Sequence, residues 1–295
     1  MARLVTTDLL QHACRLSREG VPFVMATVVA VQGRTPRDVG AKMIWLPGDR
    51  AAGGANGEAR GEGSNVPAGP RIIGTVGGGK MEHLLIEACE RRFAERSSGI
   101  ERFSLLQDAD QCCGGSMEVF VEYVGPRGRV VIFGAGHVAM EVARLAREGG
   151  LAVTVVDDRA EWNTPARFPA CGRVASWAEG LAVLALAPAE TMACVMTYDH
   201  DRDFELVRAI LSERDDSALP AYVGLIGSRS KRACFFGRLS ASGVPAERIE
   251  RVECPMGLGD MGKAPIQVAV SIAGRLLLSA REMEARAMAS PERRA

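Results

Sequence analysis

The sequence has no surplus of charge: 36 Lys and Arg are matched by 36 Asp and Glu. Without a global field there is nothing to draw the chain to nucleic acid or to an anionic membrane, and neither is expected as a partner. It also has no apolar run near the ~18 residues that a membrane span needs. Its first residues, MARLVTTDLLQHAC, are broken by Asp8, Gln11 and His12, where a secretory leader would carry an apolar stretch. A soluble, cytoplasmic protein is expected. Its eight cysteines then read as reduced thiols, and none shows the C-x-x-C spacing of a zinc site. A convincing proton-transfer pair is missing as well. In the loops that follow the strands of the second half, His200 is the histidine that stands beside carboxylates, and a lone histidine is more often structural than catalytic.

What is present is apolar content of 47% over 295 residues, enough for two cores, and a sharply patterned stretch from Val130 to Arg159. Val130 to Phe133 is a continuous apolar run, as in a parallel strand covered on both faces. Gly134, Gly136 and Ala139 then fit G-x-G-x-x-G/A at the start of a helix whose apolar face carries Val138, Val142, Leu145 and Ala146. Gly149 and Gly150 stop that helix, and Leu151 to Val156 forms a second strand. It delivers Asp157 and Asp158, the first lying 18 residues after Ala139, close to the ~20 expected of a ribose-binding acid. The pattern predicts a Rossmann-like, doubly wound parallel sheet whose helix N-terminus offers N–H groups to an anion. If a nucleotide binds, Asp157 favours NAD over NADP, because an acid repels a 2′-phosphate. Packing alone would also call for some of these glycines, and the fold does not fix the function.

Before this unit the chain reads as a smaller α+β domain, residues 1–125. A helix through Leu9, Leu10, Ala13 and Leu16 precedes strands over Phe23–Val31 and Lys42–Leu46. Residues 47–71, rich in Gly, Ala and Pro, read as a flexible insertion. Ile72–Val76 resumes the sheet and runs through Gly77, Gly78 and Gly79 into an amphipathic helix, a second strand–glycine–helix junction and another possible anion cradle. Glu101–Leu106 and Ser116–Val124 alternate as strands, and between them lies QDADQCCGG. Here Cys112 and Cys113 stand together, the one adjacent pair of cysteines in the chain. Neighbouring cysteines rarely meet the geometry of a mutual disulfide, so soft-metal or sulfur-ligand binding is the better functional reading of this loop.

The second domain is expected over 128–285, followed by a tail over 286–295. Weaker strands over Arg173–Ser176, Ala193–Thr197 and Tyr222–Ile226 follow the opening unit, and the last two end in polar loops. Tyr198-Asp199-His200-Asp201 follows one. Gly227-Ser228-Arg229 follows the other and opens a helix, where Ser228 and Arg229 either bind a phosphate or cap the helix. Ligands on open α/β sheets bind at the carboxyl ends of the strands, so these loops and the Gly134 turn are expected to face one crevice.

Taken together, these stretches resemble the XdhC/CoxI family, the xanthine dehydrogenase accessory proteins. The resemblance rests on Thr35 to Met43, the G-T-V-G-G-G of Gly74 to Gly79, the Q-C-C-G-G of Gln111 to Gly115 and the F-G-A-G-H-V of Phe133 to Val138. It extends to V-D-D-R at Val156 to Arg159, Y-V-G-L-I-G-S-R at Tyr222 to Arg229 and the closing Gly262 to Ala273. It implies a chaperone of the molybdenum cofactor (molybdopterin), not an enzyme. Such a protein binds the cofactor, protects it while a cysteine desulfurase helps install its terminal sulfur, and passes it to a molybdenum hydroxylase apoenzyme. It further implies cofactor and metal contacts at Cys112 and Cys113 and self-association of the chain. Gly77 to Gly79, Gly134, Gly136, His137, Asp157, Ser228 and Arg229 are the other candidate cofactor-binding residues. Tyr198 stands where the family's T-H-D-H has its first histidine, a departure that weakens a metal-binding His pair. An NAD(P)-dependent oxidoreductase and a nucleotide-sensing regulatory module are the alternatives that the Gly134 turn keeps open.

Overall fold

The computed structural model of the chain describes residues 6–18, 20–48, 70–104, 115–212 and 215–289. It divides into two compact units, Met1–Gly125 and Pro126–Ala295.

In the first unit, helix α1 (Thr6–Arg18) leads to β1 (Phe23–Gln32), β2 (Lys42–Leu46) and β3 (Arg71–Gly74). Helix α2 (Lys80–Glu95), β4 (Gly99–Ser104) and β5 (Ser116–Val124) complete it. The five strands pair antiparallel in the order β3-β2-β1-β5-β4. Alternation along β1 and β2 sorts the side chains by face, as a period of two requires. Val24, Ala26, Val28, Met43 and Trp45 meet Met81, Leu85, Ala88 and Cys89 of α2. Phe23, Ile44 and Leu46 meet Leu9 and Leu16 of α1 on the opposite face. The expected α+β domain is thus a sheet with one helix on each side. The insertion read over 47–71 lies for the most part outside the described residues.

In the second unit β6 (Arg129–Phe133), α3 (His137–Glu148), β7 (Ala152–Val156), β8 (Gly172–Val174), α4 (Trp177–Ala185) and β9 (Thr191–Val195) come first. Then follow α5 (His200–Leu211), β10 (Tyr222–Leu225), α6 (Arg229–Ala241), α7 (Ala246–Ile249), β11 (Val252–Glu253) and α8 (Pro265–Ala289). The sheet order is β11-β10-β9-β6-β7-β8 and every pairing is parallel. The chain starts in the middle, runs outward through β7 and β8, then returns to the other side of β6. That reversal between β6 and β9 is the switch point at which open α/β sheets bind ligands.

Alternate residues of β6 serve two cores. Val130 and Ile132 pack with Ala139, Val142 and Ala146 of α3 and Ala269, Ile272 and Leu276 of α8. Val131 and Phe133 pack with Leu184 of α4, Leu206 and Ile210 of α5 and Leu239 of α6. This is the doubly wound sheet the opening unit predicts. Helix α8 runs to Ala289, four residues into the segment read as a tail, because its Glu, Ala, Arg and Met residues are good helix formers. Among the described residues no helix is long and apolar enough to cross a membrane.

Candidate functional site

At the switch point the turn from β6 into α3 contains two glycines with different reasons to be glycine. Gly134 has φ +116°, and a Cβ there would lie 2.3 Å from the carbonyl oxygen of Met196. Backbone conformation and the packing of the turn against the end of β9 both demand it. Gly136 has φ −69° and ψ −175°, which any residue adopts. A Cβ at Gly136 would meet nothing within 4 Å. Neither packing nor conformation explains it, and what its missing side chain leaves is open approach to the backbone. Helix α3 also begins without a side-chain cap, whereas α4, α5 and α6 are capped by Ser176, Asp199 and Ser228. Its first N–H groups are those an anion satisfies.

Asp157, directly after β7, is fully buried. Its Oδ2 accepts from the Ala135 N–H at 2.7 Å and from Nη2 of Arg159 at 2.7 Å. Its Oδ1 accepts from the Arg159 N–H at 3.0 Å and from Nε at 2.9 Å. Burial alone would push this carboxyl up. The hydrogen bonds from Arg159 and Ala135, with the charge of Arg159, outweigh it and hold the carboxyl below its ordinary 3.8.

Arg159 in turn lies 4.0 Å from the ring centre of Tyr198 and 5.0 Å from that of Trp162. Arg167 stacks on Trp162 at 4.7 Å and donates to the Ala135 carbonyl at 3.1 Å, so both backbone groups of Ala135 are tied to side chains. The ring of His137, exposed at the start of α3, meets Trp162 edge-on at 5.4 Å. Asp158 accepts from Trp177 Nε1 at 2.9 Å and from the Tyr198 hydroxyl at 3.4 Å.

The next strand end is held by a buried ion pair. Asp203, 1% exposed, accepts from the Thr197 N–H and hydroxyl at 2.9 and 2.7 Å and from Lys231 Nζ at 2.6 Å. It fixes the turn that carries Tyr198. Of the two roles read for Ser228, the structure realises the cap: its hydroxyl accepts from the Lys231 N–H at 3.2 Å. Arg229 is the exposed first residue of α6, and His200 the exposed first residue of α5, not a loop residue. These residues share the carboxyl edge of the sheet with the Gly134 turn; β10 lies two strands from β6.

In the first unit the junction into α2 has a parallel construction. Gly77 sits against Met81 and Pro36, Gly79 takes φ +63°, and a Cβ at Gly78 would meet nothing within 4 Å. The Thr75 hydroxyl accepts from the Gly77 N–H at 3.2 Å and donates to the Gly77 carbonyl, and α2 too begins without a side-chain cap. The register places this junction at one end of the sheet together with the end of β1 and the start of β5, since Gln32 pairs with Ser116. A Cβ at Gly115 would lie 2.4 Å from the Arg34 carbonyl oxygen. The segment holding Cys112 and Cys113 therefore leaves β4 and re-enters β5 at the same sheet end as Gly77 to Gly79. Cys112 and Cys113 themselves lie outside the described residues.

Four other thiols, Cys89, Cys171, Cys194 and Cys254, are half-buried or buried. Burial pushes Cys89 and Cys194 up to about 12 and raises Cys171 and Cys254 as well, so near neutral pH they stay protonated. Among the described residues no group of three or more His, Cys, Asp or Glu side chains is placed to hold a metal ion.

The profile of the XdhC Rossmann domain matches residues 130–276, and that of the XdhC and CoxI family matches residues 16–64. The chain belongs to the XdhC/CoxI family. An uncharacterized Escherichia coli K12 protein, YqeB, is 27% identical over 277 residues, 92% of this chain and 46% of that protein. A Bacillus subtilis 168 protein, named as a probable xanthine dehydrogenase subunit, is 27% identical over 163 residues, 54% of this chain and 45% of that protein. The chain thus spans about half the length of the curated relatives it matches. Among solved structures, a crystal structure of a xanthine dehydrogenase from Bacillus halodurans aligns over 96% of this chain and 98% of its own at 18% identity, with a TM-score of 0.49.

In this XdhC/CoxI chain the described residues read from sequence fall into three places, one of them Ser228 and Arg229 after β10. Gly134, Gly136, His137 and Asp157 come together at the switch point, and Gly77 to Gly79 form a separate junction in the other unit. Sequence reasoning misses the arginine–aromatic cluster over Asp157. Its faint signal is the Arg two positions after the acid. Trp162 and Arg167 carry none, since they come from the irregular segment between β7 and β8.

Proposed function

We propose that the chain binds the molybdenum cofactor and acts as an accessory protein in the maturation of a xanthine dehydrogenase-type molybdenum hydroxylase, without turning over a substrate itself. Membership of the XdhC/CoxI family carries this reading, and the name of one relative, a probable xanthine dehydrogenase subunit, points the same way. The geometry of the junctions supports it: Gly78 and Gly136 stand over open space at uncapped helix starts, as a pterin phosphate would need. The cofactor brings a soft molybdenum–dithiolene centre, and Cys112 or Cys113 is a soft donor suited to it. In this reading Gly77 to Gly79, or Gly134 and Gly136 with His137, hold the phosphate, while Ser228 and Arg229 border the same sheet edge. A cysteine desulfurase, the apoenzyme and a second copy of the chain are the proposed partners, in the cytoplasm.

The test is to isolate the protein without oxygen from a host that makes the cofactor, and to assay pterin and molybdenum. Near-stoichiometric amounts of both are expected, with a large loss in Cys112→Ala or Cys113→Ala. Stoichiometric loading that survives both substitutions removes the cysteines from the site, and absence of pterin and molybdenum overturns the reading. An NAD(P)-dependent oxidoreductase is the weaker alternative, because both oxygens of its ribose-binding acid are already engaged within the chain.

A further inference from the structure

In a dinucleotide site the acid after the second strand accepts hydrogen bonds from the ribose hydroxyls of the adenosine half. Asp157 stands at that point in sequence and in fold, but it has no free oxygen. Three of its four hydrogen bonds come from Arg159, two of them from the guanidinium at 2.7 and 2.9 Å. The guanidinium is held from outside by the Tyr198 ring at 4.0 Å and the Trp162 ring at 5.0 Å. Tyr198 is itself tied through its hydroxyl to Asp158 at 3.4 Å. The carboxylate is fully buried beneath this cover, while 25% of the Arg159 side chain remains exposed.

We infer that Arg159 is a built-in occupant of the adenosine-ribose position and closes the Gly134 turn to NAD(H). A ribose diol offers neutral donors. To reach Asp157 it must replace charge-assisted bonds that are roughly twice as strong and draw a guanidinium away from the Tyr198 and Trp162 rings. Opposite charge and bidentate geometry both favour the internal partner. Arg159 is thus a specificity-determining residue: a nucleotide-type turn is retained, but the feature that selects NAD is covered by the chain's own side chain. This holds whether or not the chain carries a molybdenum cofactor.

The experiment is titration of the full chain with NADH, followed by nicotinamide fluorescence, for wild type, Arg159→Gln and Arg159→Lys, with circular dichroism melts to establish folding. Wild type should show no saturation up to about millimolar NADH, a free energy near −4 kcal/mol. Arg159→Gln removes the two guanidinium bonds to Asp157 and should bind NADH roughly tenfold or more tighter. Its gain should be larger for NADH than for NADPH, because the freed acid repels a 2′-phosphate, a discrimination that mere loosening of the loop would not produce. Arg159→Lys keeps the charge but not the two-pronged geometry and should fall between; if the Gln variant fails to fold, the Lys variant decides alone. Micromolar binding of NADH by wild type overturns the inference. So does a folded variant that binds no more tightly than wild type.

Discussion

The two strand–glycine–helix junctions of this chain look alike in sequence and differ in what surrounds them. Each has one glycine pressed against neighbours, Gly77 against Met81 and Gly134 against the Met196 carbonyl, and at least one over open space, Gly78 and Gly79 in the first and Gly136 in the second. Each opens a helix with no side-chain cap. At the α3 junction, however, the acid, the arginine and two aromatic rings close over the place where a nucleotide's ribose would lie. At the α2 junction the neighbour is the end of the sheet from which the two-cysteine segment departs and returns. The same local device is therefore a poor guide to the ligand. What differs between the junctions lies in residues outside each glycine turn.

The comparison can be broken most forcefully at the pressed glycines. Gly134→Ala places a Cβ 2.3 Å from a backbone oxygen and forces a side chain onto φ +116°. Strain and overpacking together should cost about 3–5 kcal/mol, a melting temperature lower by roughly 10 °C. At Gly77 the nearest atom is the flexible Met81 side chain at 3.2 Å, and Gly77→Ala should cost about 1 kcal/mol. Equal losses in thermal melts of the two variants would erase the distinction between the junctions.

A smaller effect is expected at Asp157. Asp157→Ala leaves the Ala135 N–H and a partly exposed Arg159 without their acceptor, at about 2–3 kcal/mol. Because the folded carboxyl titrates below its ordinary 3.8, its contribution is complete above that pH and is lost as the pH falls through the lower, folded value. Urea unfolding of wild type and variant should thus show a constant gap from pH 7 to 5 that narrows on acidification below 3.8. A gap that persists undiminished into acid would mean that the carboxylate charge contributes nothing.

Much of the fold is legible in the sequence. The unit from β6 through β7 follows from its apolar runs and glycine spacing, and the strands of the first domain follow from the β-branched run Phe23–Val31 and the alternation in Ser116–Val124. Helix α5 carries Leu206, Val207, Ile210 and Leu211 at helical spacing behind the Asp199 cap, but the polar Tyr198-Asp199-His200-Asp201 stretch that opens it reads as loop. Helix α4 has no such period. Its WAEGLAVLA is apolar nearly all round, and Gly180 lies where a Cβ would strike Val156 and Phe133, so a buried helix looks like any short apolar run. Strand β11, Val252–Glu253, is too short for a pattern. The position of Asp157 follows from its spacing. That its oxygens face inward to Arg159 does not, because side-chain pairing two residues apart leaves no periodic trace.

The smallest effect on stability is expected at the open glycines, and it sharpens the comparison most. Gly136→Ala and Gly78→Ala put a methyl group into free space; Gly136 is the N-cap of α3, where Ala is a poorer cap than Gly by roughly 0.5 kcal/mol. Melting temperatures should therefore stay within about 2 °C of wild type. A phosphate-bearing ligand that approaches the backbone has to accommodate that methyl, and should lose affinity roughly tenfold, about 1.4 kcal/mol. Pterin content of the isolated variants reads this directly. Loss in Gly78→Ala alone assigns the cofactor phosphate to the α2 junction, and loss in Gly136→Ala alone assigns it to the α3 junction. Retention in both would mean that neither backbone approaches the cofactor, and the open glycines would then have no account in ligand binding.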